Sequence, residues 1–78
     1  MDRKERARLE AHAELWDLLG RDTLGTRITG MLVRKGEALT VEELRSLTEL
    51  GREYVQDIPG IGPDSVDRIW ERLGLREA

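Results

Sequence analysis

Apolar residues recur along the chain every three or four positions, and nowhere do apolar and polar residues alternate, so the pattern predicts helices and no strands. From Asp2 to Leu19 there is neither glycine nor proline, and Ala11, Leu15, Leu18 and Leu19 fall at helical spacing; Gly20 closes this helix. Its first two turns, crowded with Arg and Glu, have little to bury and are expected to fray or project. A second helix is predicted over Thr26 to Lys35, with Leu24, Ile28, Met31 and Leu32 on its apolar side and Gly36 just past its end. Thr40-Val41-Glu42-Glu43 reads as a capping box, the Thr40 hydroxyl serving the Glu43 amide and the Glu43 carboxylate reaching back. The helix it opens buries Val41, Leu44 and Leu47. Thr48 is expected to cap a short helix through Tyr54 and Val55, with Gly51 inside it. The last helix runs from Pro63 to about Leu73, buries Val66, Ile69, Trp70 and Leu73, and ends at Gly74.

Ahead of that last helix lies Ile58-Pro59-Gly60-Ile61-Gly62-Pro63, an apolar-Gly-apolar-Gly turn. Two glycines one residue apart can take backbone angles that other residues avoid and allow another backbone to come close. Such a turn leading into a helix is the signature of a helix-hairpin-helix, whose exposed amides can hold a phosphate. A weaker echo runs from Leu32 through Gly36 to Leu47, as if two hairpin units were packed together. The expected fold is all-α, a compact bundle of four to five short helices containing a helix-hairpin-helix. Residues 1–20 form an N-terminal amphipathic helix, and residues 21–78 form the helix-hairpin-helix domain.

Composition narrows the function. A chain of 78 residues is one small domain with little room for a deep active-site cavity, and without cysteine it has neither disulfides nor a thiolate metal site. No apolar run approaches the roughly 20 residues that cross a bilayer, and the charged start has no signal-peptide region after it, so a cytoplasmic location is expected, nucleoid-associated if the chain binds DNA. The net charge of -3 argues against indiscriminate coating of nucleic acid. The charge is segregated, however. Residues 21–36 hold Arg21, Arg27, Arg34 and Lys35 against Asp22 alone, whereas residues 37–57 hold six acids against Arg45 and Arg52. On a helical wheel Arg27, Gly30 and Arg34 lie together beside the apolar stripe, making a basic edge with a glycine in its middle.

From Leu24 to Leu75 the sequence resembles the C-terminal domain of the bacterial RNA polymerase alpha subunit. The likeness is carried by Leu24, Arg27, Leu32, Arg34 and Gly36 in ungapped register, by Thr40-Val41-Glu42-Glu43-Leu44, and by Gly62-Pro63-Asp64-Ser65-Val66. That family binds the minor groove of A/T-rich promoter DNA and contacts transcription activators. The resemblance implies that Arg27 enters the groove and that Gly62 and Ser65 lie near phosphate, in keeping with the attraction of arginine to a narrow minor groove. Two departures stand out. Gly30 replaces the family's usual DNA-contacting asparagine and Asp64 its usual lysine.

The candidate nucleic-acid-binding residues are therefore Arg27, Gly30, Arg34, Lys35, Gly60, Gly62 and Ser65, with A/T-rich double-stranded DNA as the expected partner. Trp70 is expected in the core, and Trp16 is a candidate anchor for a protein partner. His12, the only histidine, has too few ligands around it for a metal site. No serine pairs with a histidine, so no enzyme activity and no cofactor is expected. Against DNA binding stands a second reading, a protein-interaction module docking on RNA polymerase or a transcription factor. A homodimer through the N-terminal helix is a third.

Overall fold

The helical spacing of the apolar residues is realised as six helices in the computed structural model of the chain, which describes residues 1–75: α1 (Arg3–Glu10), α2 (Ala13–Leu19), α3 (Thr23–Lys35), α4 (Val41–Thr48), α5 (Arg52–Gln56) and α6 (Pro63–Leu73). Among the described residues there is no strand, and the fold is all-α as expected. The end of the predicted second unit, residues 76–78, lies outside the described residues.

The N-terminal helix expected from Asp2 to Leu19 is two helices. Ala11 ends α1, and His12, with φ -123° and ψ 43°, opens α2. The cause is tertiary: His12 Nδ1 lies 3.2 Å from the Leu39 carbonyl oxygen, and the break lets both helices rest on α3. Nor does α1 project. Asp2 caps it by accepting from the Glu5 amide at 2.7 Å, and Leu9, one turn further, is completely buried.

One core joins the elements. Leu15 and Leu19 of α2 meet Ile28 and Leu32 of α3, Leu44 and Leu47 of α4, Val55 of α5, and Val66, Ile69, Trp70 and Leu73 of α6. Full burial of each such leucine, isoleucine or valine contributes roughly 1.5–3 kcal/mol. Because the leucines of α2 belong to this same cluster, α2 shares the core of the remainder.

Two contacts bind α6 and α3 to the end of α2. Asp22 caps α3 by accepting from the Gly25 amide at 3.2 Å, which starts that helix earlier than the expected Thr26. The same carboxylate accepts from both terminal nitrogens of Arg68, each at 2.9 Å, while Arg68 Nη1 also donates to the Leu19 carbonyl at 2.9 Å. Gly25 allows the helices to come this close: a Cβ there would sit 2.1 Å from the Gly20 carbonyl oxygen and 2.4 Å from that of Leu19.

The capping box is present with one change. Thr40 Oγ1 accepts from the Glu43 amide at 3.0 Å, but the Glu43 carboxylate takes the Leu39 amide, at 2.8 Å, instead of that of Thr40. Thr48 caps nothing ahead of it. It is the last residue of α4, its hydroxyl donates back to the Arg45 carbonyl at 2.6 Å, and Gly51 sits before α5 as its N-cap.

Candidate nucleic-acid interface

Arg27 and Arg34 are two helical turns apart and so share one side of α3, with Gly30 between them. Arg27 is exposed and has no hydrogen bond or ion pair among the described residues. Arg34 is exposed too, but its Nε donates to the Gly30 carbonyl at 3.2 Å and its Nη2 lies 3.5 Å from Met31 Sδ; no carboxylate among the described residues pairs with it. Lys35 is exposed in the last turn. These three cations form a strip along α3.

Each flank of the strip is set by another element. On one side Glu5 of α1 brings Oε1 to 3.8 Å from where a Gly30 Cβ would stand, and Gly30 is buried. The expected basic edge thus exists, but its glycine does not face solvent. On the other side Met31 reaches across to the α5–α6 corner, its Cε occupying the space of a Cβ on Gly60, 1.8 Å from that point. Met31 is therefore the link between the strip and the corner, and Arg34, which touches it, is the guanidinium tied to the corner.

The corner is held by its isoleucines. Ile58 and Ile61 are buried, and the Ile61 amide donates to the Ile58 carbonyl at 2.9 Å. Gly60 has φ +91°, a conformation that side chains rarely adopt. Gly62 does not: at φ -99° and ψ -176° it is extended, with open space where a Cβ would go. The expectation that both glycines use special backbone angles is corrected to Gly60 alone. Gly62 is instead the N-cap of α6, with no side chain to cap it and Pro63 following, which leaves the Asp64 and Ser65 amides without an acceptor among the described residues.

Two predicted contacts are revised by burial. Ser65 is 1% exposed and its hydroxyl is buried without a partner, so its side chain faces the interior and only its amide belongs to the start of α6. Trp16, the expected partner anchor, is 3% exposed. Its Nε1 donates to Thr26 Oγ1 at 3.0 Å, and the Arg21 guanidinium lies 4.1 Å from the ring centroid. It is a packing residue, as is Trp70.

Beside the strip is an open depression of about 460 Å³ lined by Arg21, Arg27 and Arg34 and by Glu5 and Asp22. Most of this charge is spent locally. Arg21 is bound to Asp17 and Glu10, at 2.6 and 2.8 Å, which hold its guanidinium above the ordinary arginine value. Hydrogen bonds from Arg68 draw the Asp22 carboxyl down to about 2. What is left is Arg27 and Arg34 facing Glu5. Glu5 and Met31 are the residues that sequence reasoning did not place here: Met31 was legible only as part of an apolar stripe, and nothing in the sequence signalled Glu5, because its position depends on α1 packing against α3.

No protein-family model, no curated protein and no solved structure matches the chain. The fold and this surface define a class only, a small all-α bundle with one cationic helix strip against a glycine corner.

Proposed function

We propose that this chain is a non-enzymatic, transcription-associated DNA-binding domain that reads the minor groove and phosphate backbone of A/T-rich duplex. The observation that carries the reading is the Arg27 guanidinium, without a partner among the described residues, on the same side of α3 as Arg34, which Met31 connects to the α5–α6 corner. An arginine free of carboxylates is available for the concentrated negative potential of a narrow minor groove. Lys35 and the amides at the start of α6 would lie on flanking phosphates. The likeness to the polymerase alpha C-terminal domain supports the same residues. The alternative, a module docking on RNA polymerase or a transcription factor, draws on the Glu5 carboxylate over Gly30 and on Asp64 in the first turn of α6.

Fluorescence anisotropy with an A/T-rich duplex, over a series of salt concentrations, tests the proposal. With Arg27 in the groove and Arg34 and Lys35 on phosphate, the slope of log K against log salt is roughly -2, and removing either phosphate contact reduces it by about 1. Arg27→Ala is expected to weaken binding by about 5- to 150-fold, the range of one good groove contact. Binding by Arg27→Ala and Arg34→Ala equal to that of the parent chain, or no binding even at low salt, would refute it.

A further inference from the structure

A second surface is built by the acidic part of the chain. Between Glu37 and Asp57 six carboxylates stand against Arg45 and Arg52, and Arg52 is paired with Asp67 and lies over the Trp70 ring, 5.9 Å from its centroid. Two open depressions of about 400 and 320 Å³ have Glu37 in common as a lining residue. Leu47, Leu50 and Glu43 wall the first; Tyr54, Asp57 and Pro59 wall the second. Among the described residues no base lines either one. Leu50 and Tyr54 are 59% and 51% exposed, large side chains that the core does not take up. Glu43 is engaged with the Leu39 amide, but the carboxylates of Glu37 and Asp57 have no hydrogen bond or ion pair among the described residues.

We infer that this groove docks an arginine-bearing segment of a protein partner, its guanidinium stacked on Tyr54 between the Glu37 and Asp57 carboxylates and a neighbouring apolar side chain against Leu47 and Leu50. Charge complementarity selects the occupant. Nucleic acid is repelled by the carboxylates, and a wholly apolar segment would cover them without offering a donor, which is costly. Arginine fits better than lysine because its planar guanidinium stacks on an aromatic face while it bonds carboxylates at its edge. A second copy of the chain brings the same net charge of -3 and is disfavoured at long range. Pro59 of the α5–α6 corner borders this surface, but none of the strip's three cations lines it, so the inference does not rest on DNA binding.

The test is an NMR titration of the full chain, at physiological salt, with a short capped peptide in which arginines flank a leucine. Amide shifts are expected to cluster within residues 36–59. Glu37→Arg should weaken binding about tenfold, Tyr54→Ala several-fold, and changing the peptide's arginines to lysines about threefold. Glu14→Arg, the same charge change at an exposed position of α2, should have much less effect. Shifts confined elsewhere, equal losses for Glu37→Arg and Glu14→Arg, or no binding at about 1 mM peptide would overturn the inference. So would sedimentation showing self-association that Glu37→Arg abolishes, which would give the groove to a second copy. Tyr54→Ala changes an exposed side chain and guards against a folding defect in the charge variant.

Discussion

Helix α3 contains two glycines five residues apart, Gly25 and Gly30, and replacing each with alanine should move stability in opposite directions. Helix propensity alone says that both replacements stabilise, by about 0.5–1 kcal/mol each. At Gly30 nothing opposes that gain: the new methyl would meet only Glu5 Oε1, at 3.8 Å, an ordinary contact. At Gly25 the methyl would stand 2.1 Å from one backbone carbonyl oxygen and 2.4 Å from another, where ordinary contact begins near 3.4 Å. The obstacle is main chain at the end of α2, not the tip of a flexible side chain. Relieving it means parting α2 from α3 by more than an ångström and disturbing the Arg68 bonds to Leu19 and Asp22. Overpacking of this kind costs about 1–3 kcal/mol, and a rigid obstacle puts Gly25→Ala at the upper end. After the propensity gain the net loss is about 2 kcal/mol, a large share of the total for a domain this small. Thermal unfolding followed by circular dichroism should show Gly25→Ala melting about 8–16 °C lower and Gly30→Ala a few degrees higher than the parent chain. Equal stabilisation by both changes would refute the close approach of α2 and α3.

Acid should weaken the fold through Asp22. Its carboxyl lies at about 2 in the folded chain against an ordinary 3.8, because Arg68 donates to the ionised form. The ionised form favours the folded state, so this contribution is present above about pH 4 and is lost as pH falls towards 2. Asp22→Asn keeps a capping side chain for α3 but removes the ion pair; its melting temperature should therefore fall less steeply between pH 4 and 2, and parallel curves would contradict the assignment. Ser65→Ala removes a buried hydroxyl without a partner and should leave stability unchanged or raise it by up to about 1 kcal/mol in urea unfolding. It should also leave any DNA affinity unchanged, since the side chain does not reach the surface; a marked loss of affinity would show that the hydroxyl turns outward to phosphate.

The existence of the helices after Gly20, and about half of their ends, was legible residue by residue. Pro63 at the first position of α6, the glycines that end α3 and α6, and Thr40 ahead of α4 act within one turn of themselves, so the chain needs no other element to express them. The side of each helix that is buried followed from spacing in the same way. Arg27, Arg34 and Lys35 could be assigned to one exposed edge because three- and four-residue steps alone determine which residues are neighbours on a helix.

Contacts between elements were not legible, since they depend on distances between residues far apart in the chain. The break at His12 has no local marker and answers to Leu39, 27 residues away. Trp16 looked open because its own helix does not show what α3 and Arg21 place over it. Glu5 came to lie over Gly30, and Met31 over Gly60, only through the packing of α1 and of the α5–α6 corner on α3. Periodicity and capping thus settled, after Gly20, which segments are helical and which side of α3, α4 and α6 turns inward. Whether a given surface residue is covered, paired or left free was decided by neighbouring helices, because burial and pairing are properties of the assembled bundle and of no single segment.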